Sequence, residues 1–176
     1  MSLRPIGGIF ARLNASGNLT FYDASGNVLA TFLSGALSIK GNVGTLVTNS
    51  PITTTTSITD VFLGISLNYT PQISTRAFIA TTFTGWNTTL GDGVVLGVYR
   101  TTGTNNPAGG AAHSGTLISA TDHTSATASA HGSLGQTVLD TGLTAGSAYT
   151  YSFSITAVTG GTAAIESTYA ATVVEL

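Results

Sequence analysis

Three histidines, His113, His123 and His131, fall within one stretch rich in Ala, Ser and Thr, with Asp122 beside the second of them. Imidazoles and a carboxylate in one neighbourhood are the raw material of a metal site. Zinc ligands carried on a single turn stand about three to five residues apart, whereas these histidines are 10 and 8 apart, the spacing of solvated loop residues. A histidine or aspartate on a three-fold axis would bind an ion with one residue per chain and need no local motif. Ser119, His123 and Asp140 supply the residue types of a hydrolase triad, but no G-x-S-x-G elbow presents a serine. The seven acids (Asp23, Asp60, Asp92, Asp122, Asp140, Glu166 and Glu175) fall mostly at turns and strand ends, where they cap the chain rather than work as catalytic pairs. The expectation is a protein that is not an enzyme, with no catalytic residue, no metal and no cofactor.

The stretch GDGVVLGVYRTTGTNNPAGG, residues 91–110, poses a second chemical question, because glycine-rich loops hold phosphates. A phosphate cradle leads from a strand into a helix N-terminus, where free N–H groups meet the anion. No helical pattern follows here. The segment VVLGVYRTT is rich in β-branched and aromatic residues, with Val95 and Tyr99 at even spacing, and NNPAGG is turn chemistry. These glycines punctuate a strand. Among the aromatics, Trp86, Tyr22, Tyr99 and Tyr169 would stack on sugar rings if they shared an exposed face. Trp86, Tyr99 and Tyr169 are therefore carried forward as candidate ligand or interface residues, with a core or inter-subunit position favoured for Trp86 because of the area an indole buries. The N-x-[ST] triplets at Asn14, Asn18, Asn68 and Asn87 are what chance supplies in a chain with 32 threonines.

Strands must position all of these residues. Two copies of ASGN, at 15–18 and 24–27, supply the turn residues of a small meander with strands near 8–13, 18–23 and 27–33, followed by a further strand or extended arm. In VFLGISLNY, Val61, Leu63, Ile65, Leu67 and Tyr69 alternate with Phe62, Gly64, Ser66 and Asn68, the period of a half-buried strand. QISTRAFIATTF places Ile73, Ala77, Ile79 and Phe83 on one face. AYTYSFSITAV gives Tyr149, Tyr151, Phe153, Ile155 and Ala157 to a dry face, and Thr150, Ser152, Ser154 and Thr156 to a wet one. The closing segment alternates through Ile165, Tyr169, Ala171 and Val173, and this last strand is expected to be paired. Residues 104–133 read as a long excursion around one short strand. About seven or eight strands after residue 51, with no amphipathic helix, predict an all-β chain: an antiparallel, jelly-roll-like β-sandwich over 51–176, preceded by a β-meander or anchoring arm over 1–50.

Composition limits the partners. Charged residues make up 7% of the 176, against about 25% in ordinary soluble domains. The five cations, Arg4, Arg12, Lys40, Arg76 and Arg100, are far apart, so no basic stripe exists to neutralise nucleic acid. No run is long and apolar enough for a membrane helix, and the N-terminus lacks the continuous apolar core of a signal peptide. Obligate interfaces are depleted in charge, so a chain with twelve charges is one expected to meet copies of itself or a shell.

The segments GWNTTLGDGVVLGVYRTTG and VLDTGLTAGSAYTYSFSITAVTGGTAAI, with the ending VVEL, resemble phage virion proteins. The likeness is to the trimeric jelly-roll modules, similar to tumour-necrosis-factor and complement C1q heads, found on head decorations, head fibres and tail fibres. It covers roughly residues 53–176 and is one of texture rather than of an invariant motif. The resemblance implies a homotrimer whose N-terminal part docks on the major capsid or tail protein while the C-terminal sandwich faces solvent. Its location would be the virion surface, and its work capsid decoration, cementing or head-fibre assembly without catalysis. The alternative is a receptor- or carbohydrate-binding tail-fibre tip or adhesin module. A virion part also reconciles a composition like that of exported β proteins with the missing export signal, since it is made in a cytoplasm and works outside it.

Overall fold

The structure is a computed structural model that describes residues 10–13, 19–23, 25–33, 36–38, 44–72 and 74–176. Ile73, Asn14 and Asn18, singled out above, lie outside the described residues, as do the outer ends of the first meander strands. The chain divides into two compact units, Met1–Gly41 and Asn42–Leu176. Every strand pairing is antiparallel, and no described residue is helical.

In the first unit β1 (Phe10–Leu13), β2 (Leu19–Tyr22), β3 (Val28–Leu33) and β4 (Ala36–Ser38) follow one another across a sheet in chain order. The β2–β3 turn explains itself from its sequence. Asp23 Oδ1 accepts the N–H groups of Ser25 and Asn27 at 2.9 and 2.8 Å, and Gly26 takes the positive φ of +86° that a side chain would resist. The Asn27 side-chain amide, 2.8 Å from Asp23 Oδ2, does most to hold that carboxyl below its ordinary pKa.

The second unit is an antiparallel β-sandwich. Its strands are β5 (Thr45–Thr48), β6 (Thr54–Thr55), β7 (Val61–Tyr69), β8 (Ala77–Thr82), β9 (Thr84–Asn87), β10 (Gly93–Thr102), β11 (Thr116–Thr124), β12 (Gly132–Ser133), β13 (Gln136–Asp140), β14 (Tyr149–Val158), β15 (Ala163–Ile165) and β16 (Ala170–Glu175). One layer has the order β11-β10-β14-β7-β5. The other is formed by β13-β8-β16 and β12-β9-β15-β6, with Phe83 alone separating β8 from β9. After β7 the chain passes back and forth between the layers. Leu63, Leu96, Phe153 and Tyr151 from the first layer meet Ile79 and Val173 from the second in one fully buried core. Ile165, Tyr169, Ala171 and Val173 face that core as their alternation predicts, and β16 is paired with β8. The segment 104–133 contains a nine-residue strand, β11, on the edge of the large sheet.

The structure corrects two expectations: β7 is buried on both faces rather than half-buried, with Phe62 and Ser66 each 1% exposed, and β14 has no wet face. Thr150, Ser152, Ser154 and Thr156 are not wet: none is more than 9% exposed. The chain between β10 and β11 is tied down on their side of the sheet. Gly110 N–H donates to Phe62 O and Phe62 N–H to Ala111 O, both at 2.8 Å, and Asn105 N–H reaches Thr150 Oγ1 at 2.9 Å. The Asn49 side-chain amide holds Asn106 O at 2.8 Å. Gly64 makes this approach possible. Its φ is +77°, and a Cβ there would run into Asn49 O and lie 2.8 Å from Gly109 N. Substitution Gly64→Ala should therefore cost about 3 kcal/mol through backbone strain and overlap, read as a lower urea midpoint; an unchanged midpoint would show that the strap does not seat on β7.

Candidate functional site

Asp140 closes β13 at one end of the sandwich and is 4% exposed. Its Oδ1 pairs with Arg100 Nη1 at 2.5 Å and accepts Gly142 N–H at 2.9 Å, while Tyr151 OH donates to Oδ2 at 2.7 Å. Arg100 also lies over the Tyr149 ring, 5.7 Å from its centroid, a cation–π contact. Every oxygen of this carboxylate is in use. Asp60 is similarly engaged: Tyr99 OH donates to Oδ2 and Thr156 Oγ1 to Oδ1. The third enclosed carboxylate, Glu175, accepts Gln72 N–H at 3.1 Å and Ser74 N–H at 2.5 Å. These three acids join parts of the chain distant in sequence, which makes them staples.

The neighbouring phenols feel the burial. It pushes the Tyr69 hydroxyl up to about 12, with the Glu175 charge adding to the shift. Tyr99 and Tyr151 are raised as well, first by burial and then by hydrogen bonds to Asp60 and Asp140. Each phenol keeps its proton more tightly in the folded chain than in the unfolded one.

The three histidines are held apart. His113 stacks on Tyr99 with ring centroids 4.9 Å apart, and its Nδ1 lies 3.4 Å from Asp60 O. His123 Nε2 faces Ala130 O at 3.1 Å, under a Gly132 whose Cβ, if present, would overlap the imidazole. His131 stacks flat on Trp86, 4.2 Å between centroids and 2° between planes, and its Nδ1 is 2.8 Å from Glu166 Oε1. Among the described residues no three His, Asp or Glu side chains gather as a metal site requires. Of the triad drawn from the sequence, His123 bonds a backbone carbonyl and Asp140 bonds Arg100 and Tyr151, so neither orients the other.

The candidate aromatics do not share a face either. Tyr99 is 6% exposed, lies edge-on to Phe62 at 6.0 Å and crosses the outer side of β14 towards Asp60. Tyr169 stacks on the core ring of Phe83 at 5.3 Å. Trp86 is half-buried on the outer side of β9, between the inward-facing Gly85 and Asn87. The Trp86, His131 and Glu166 group is thus an exposed aromatic and polar cluster at the surface.

A different surface feature was not singled out from the sequence. The outer face of β13, β8 and β16 carries Leu139, Phe78 and Val174 in direct register across three strands, exposed by 42, 42 and 36%. Two residues along, Thr137, Ala80 and Thr172 form the next row, with Thr82 and Ala170 beyond. None of these eight outward positions is charged. The signal is present in AFI and TVV, where apolar residues occupy both alternating sets, of which only the inward one is needed to account for a core. The chain matches no protein-family model and no curated protein.

Two measurements follow from the buried acids and phenols. Replacing Asp140 by Ala leaves Arg100 without its partner and should cost about 3 kcal/mol in chemical denaturation; a loss no larger than that of a surface mutant would deny it the role of staple. Because Tyr69 titrates near 10 when unfolded and about 12 when folded, its stabilising contribution is complete below pH 10 and declines between those values, and Tyr99 and Tyr151 act in the same direction. Alkaline unfolding should accordingly begin above pH 10 with tyrosinate absorbance still rising through the transition. Ionisation of all six tyrosines before the strand signal falls would contradict the burial.

Proposed function

We propose that this chain is a structural subunit of a virus particle, a phage capsid decoration, cement or head-fibre protein that docks, associates with its own copies and acts without catalysis. The observation that carries the reading is the outer face of β13, β8 and β16, eight outward positions without a charge on one layer of the sandwich. An apolar sheet face of this kind is stabilised by covering it. Supporting it, residues 42–176 hold two cations, Arg76 and Arg100, and the second is consumed by Asp140. Three of their six acids are tied into the fold. Such a surface loses little when pressed against another uncharged one, because few ions must be desolvated. The partners would be sister chains and the major capsid or tail protein, with the particle surface as its location.

Sedimentation of the full chain tests the association. Subunits of 17.7 kDa give about 35 kDa for a two-fold pair and about 53 kDa for a homotrimer, and antibodies against the chain should label regularly repeated positions on intact particles. A single-chain mass at every concentration, with no label on any particle, removes the reading.

The Trp86, His131 and Glu166 cluster favours a second reading, a carbohydrate-binding fibre tip or adhesin module, since an indole beside hydrogen-bonding side chains is what a sugar ring meets. Trp86 is the chain's one tryptophan, so its fluorescence reports this site alone. Glycan-array binding with a matching fluorescence change, both lost in Trp86→Ala, is the expected result for a tip; silence in both assays excludes it.

A further inference from the structure

We infer that the outer face of β13, β8 and β16 packs against the same face of a second copy of this chain, with Phe78 of one copy against Phe78 of the other. The inference rests on the structural-subunit reading and adds the surface and the contact. Its first ground is the symmetry of the face itself. Phe78 lies on the central strand with Leu139 directly opposite on one side and Val174 on the other. The next row repeats the plan, Ala80 in the middle and Thr137 and Thr172 on its flanks. A rotation about an axis running along β8 therefore brings Leu139 of one copy to Val174 of the next, threonine to threonine, and Phe78 to Phe78. Self-complementarity of this kind is what a two-fold pair of identical chains requires; the contact joins chains in twos, and a homotrimer would be built through a different surface.

Charge is the second ground. A partner bearing ions would have to leave them unpaired against eight uncharged positions, and a sister face brings none to those rows. Arg76, two residues before Phe78 and exposed, meets its own counterpart across this axis at the end of the face, a like-charge pair that stays in water at the rim. Area is the third. Phe78, Leu139, Val174 and the 38% exposed Leu176 open about 300 Å² of apolar surface, and the flanking Ala and Thr positions bring the face to about 500 Å². Two such faces remove about 1,000 Å² from water, the size at which specific interfaces begin. Leu46 and Leu117, exposed in the other layer, stand on its opposite edge strands.

The chain has no cysteine, so a single engineered thiol can test the contact in the full-length protein. Facing sheets lie about 10 Å apart, within reach of a short bis-maleimide. Ala80→Cys, which keeps Phe78 and also faces itself across the axis, should be cross-linked to covalent pairs in high yield, and Leu117→Cys, on β11 of the other layer, should not. Phe78→Glu should weaken association by at least about 100-fold, as loss of a central aromatic anchor does, with the strand signal of the folded chain retained. Val174→Lys repeats the test at a second point of the row if Phe78→Glu does not fold. An assembly that persists in both charge variants, with no cross-linked pairs in Ala80→Cys, overturns this surface while leaving the structural-subunit reading intact. A wild-type chain that stays single at about 100 μM overturns both.

Discussion

Hydroxyl groups on the outer side of β14 are shut away from water, and the sandwich supplies partners to three of the four, with Ser154 Oγ left unpaired. A buried hydroxyl left unpaired costs about 1–3 kcal/mol, and four in a row would offset a large part of the 5–15 kcal/mol by which a domain is stable. Ser152 Oγ meets Ser66 Oγ at 3.1 Å, Thr150 Oγ1 takes the N–H of Asn105, and Thr156 Oγ1 donates to Asp60. The strap between β10 and β11 completes the cover. It closes because glycine at position 64 lets backbone approach backbone, and because Gly97 leaves space beside the Tyr99 ring. The layer this seals is polar inside, so its pairing is directional as well as close-packed.

The enclosed carboxylates follow the same logic. In a chain with seven acids, three are committed to internal bonds, and two of these, Asp140 and Glu175, are buried. Each is placed where strand ends would otherwise leave N–H or O–H groups unsatisfied. Glu175, at the end of β16, satisfies backbone donors between β7 and β8. Asp140 satisfies the turn after β13 and the tip of the Tyr151 ring. The same bonds that steady the fold leave these acids no free oxygen for chemistry, which is why types and spacings resembling a catalytic site end as architecture.

The sandwich was legible in the sequence wherever alternation and burial have one cause. β14, β7 and β16 show period two because one set of side chains must face the core, and the structure buries that set. The fate of the opposite set was not legible, since alternation reports polarity and not exposure. Thr150 to Thr156 look like a solvated face, and become a buried one through a strap whose register depends on contacts with Asn49, Gly64 and Phe62. Such contacts leave no periodic trace. The same applies to Trp86 and His131: 45 residues apart in sequence, they are neighbours because β12 pairs with β9, a long-range register that local pattern does not encode. Phe78 shows the converse, an outward apolar residue visible in the pattern yet easily absorbed into the core beside Ala77 and Ile79.

The scarcity of charge and the position of Phe78 bear on each other. A monomer that exposes a flat apolar row ordinarily protects it with lysines or glutamates on the same face or with charges pointing inward along the edge strand. On β13, β8 and β16 the first device is absent from the outward positions, and the second is confined to the strand ends, where Asp140 and Glu175 point inward. Alanine and threonine flank the row instead, small enough to let a second sheet approach and polar enough to be tolerated before it does. Had selection acted for a dispersed chain, one lysine at Ala80 or Thr172 would have served at little cost to the sandwich, because both positions point away from the core. Threonine and alanine at those places make sense when the face is covered in the working state.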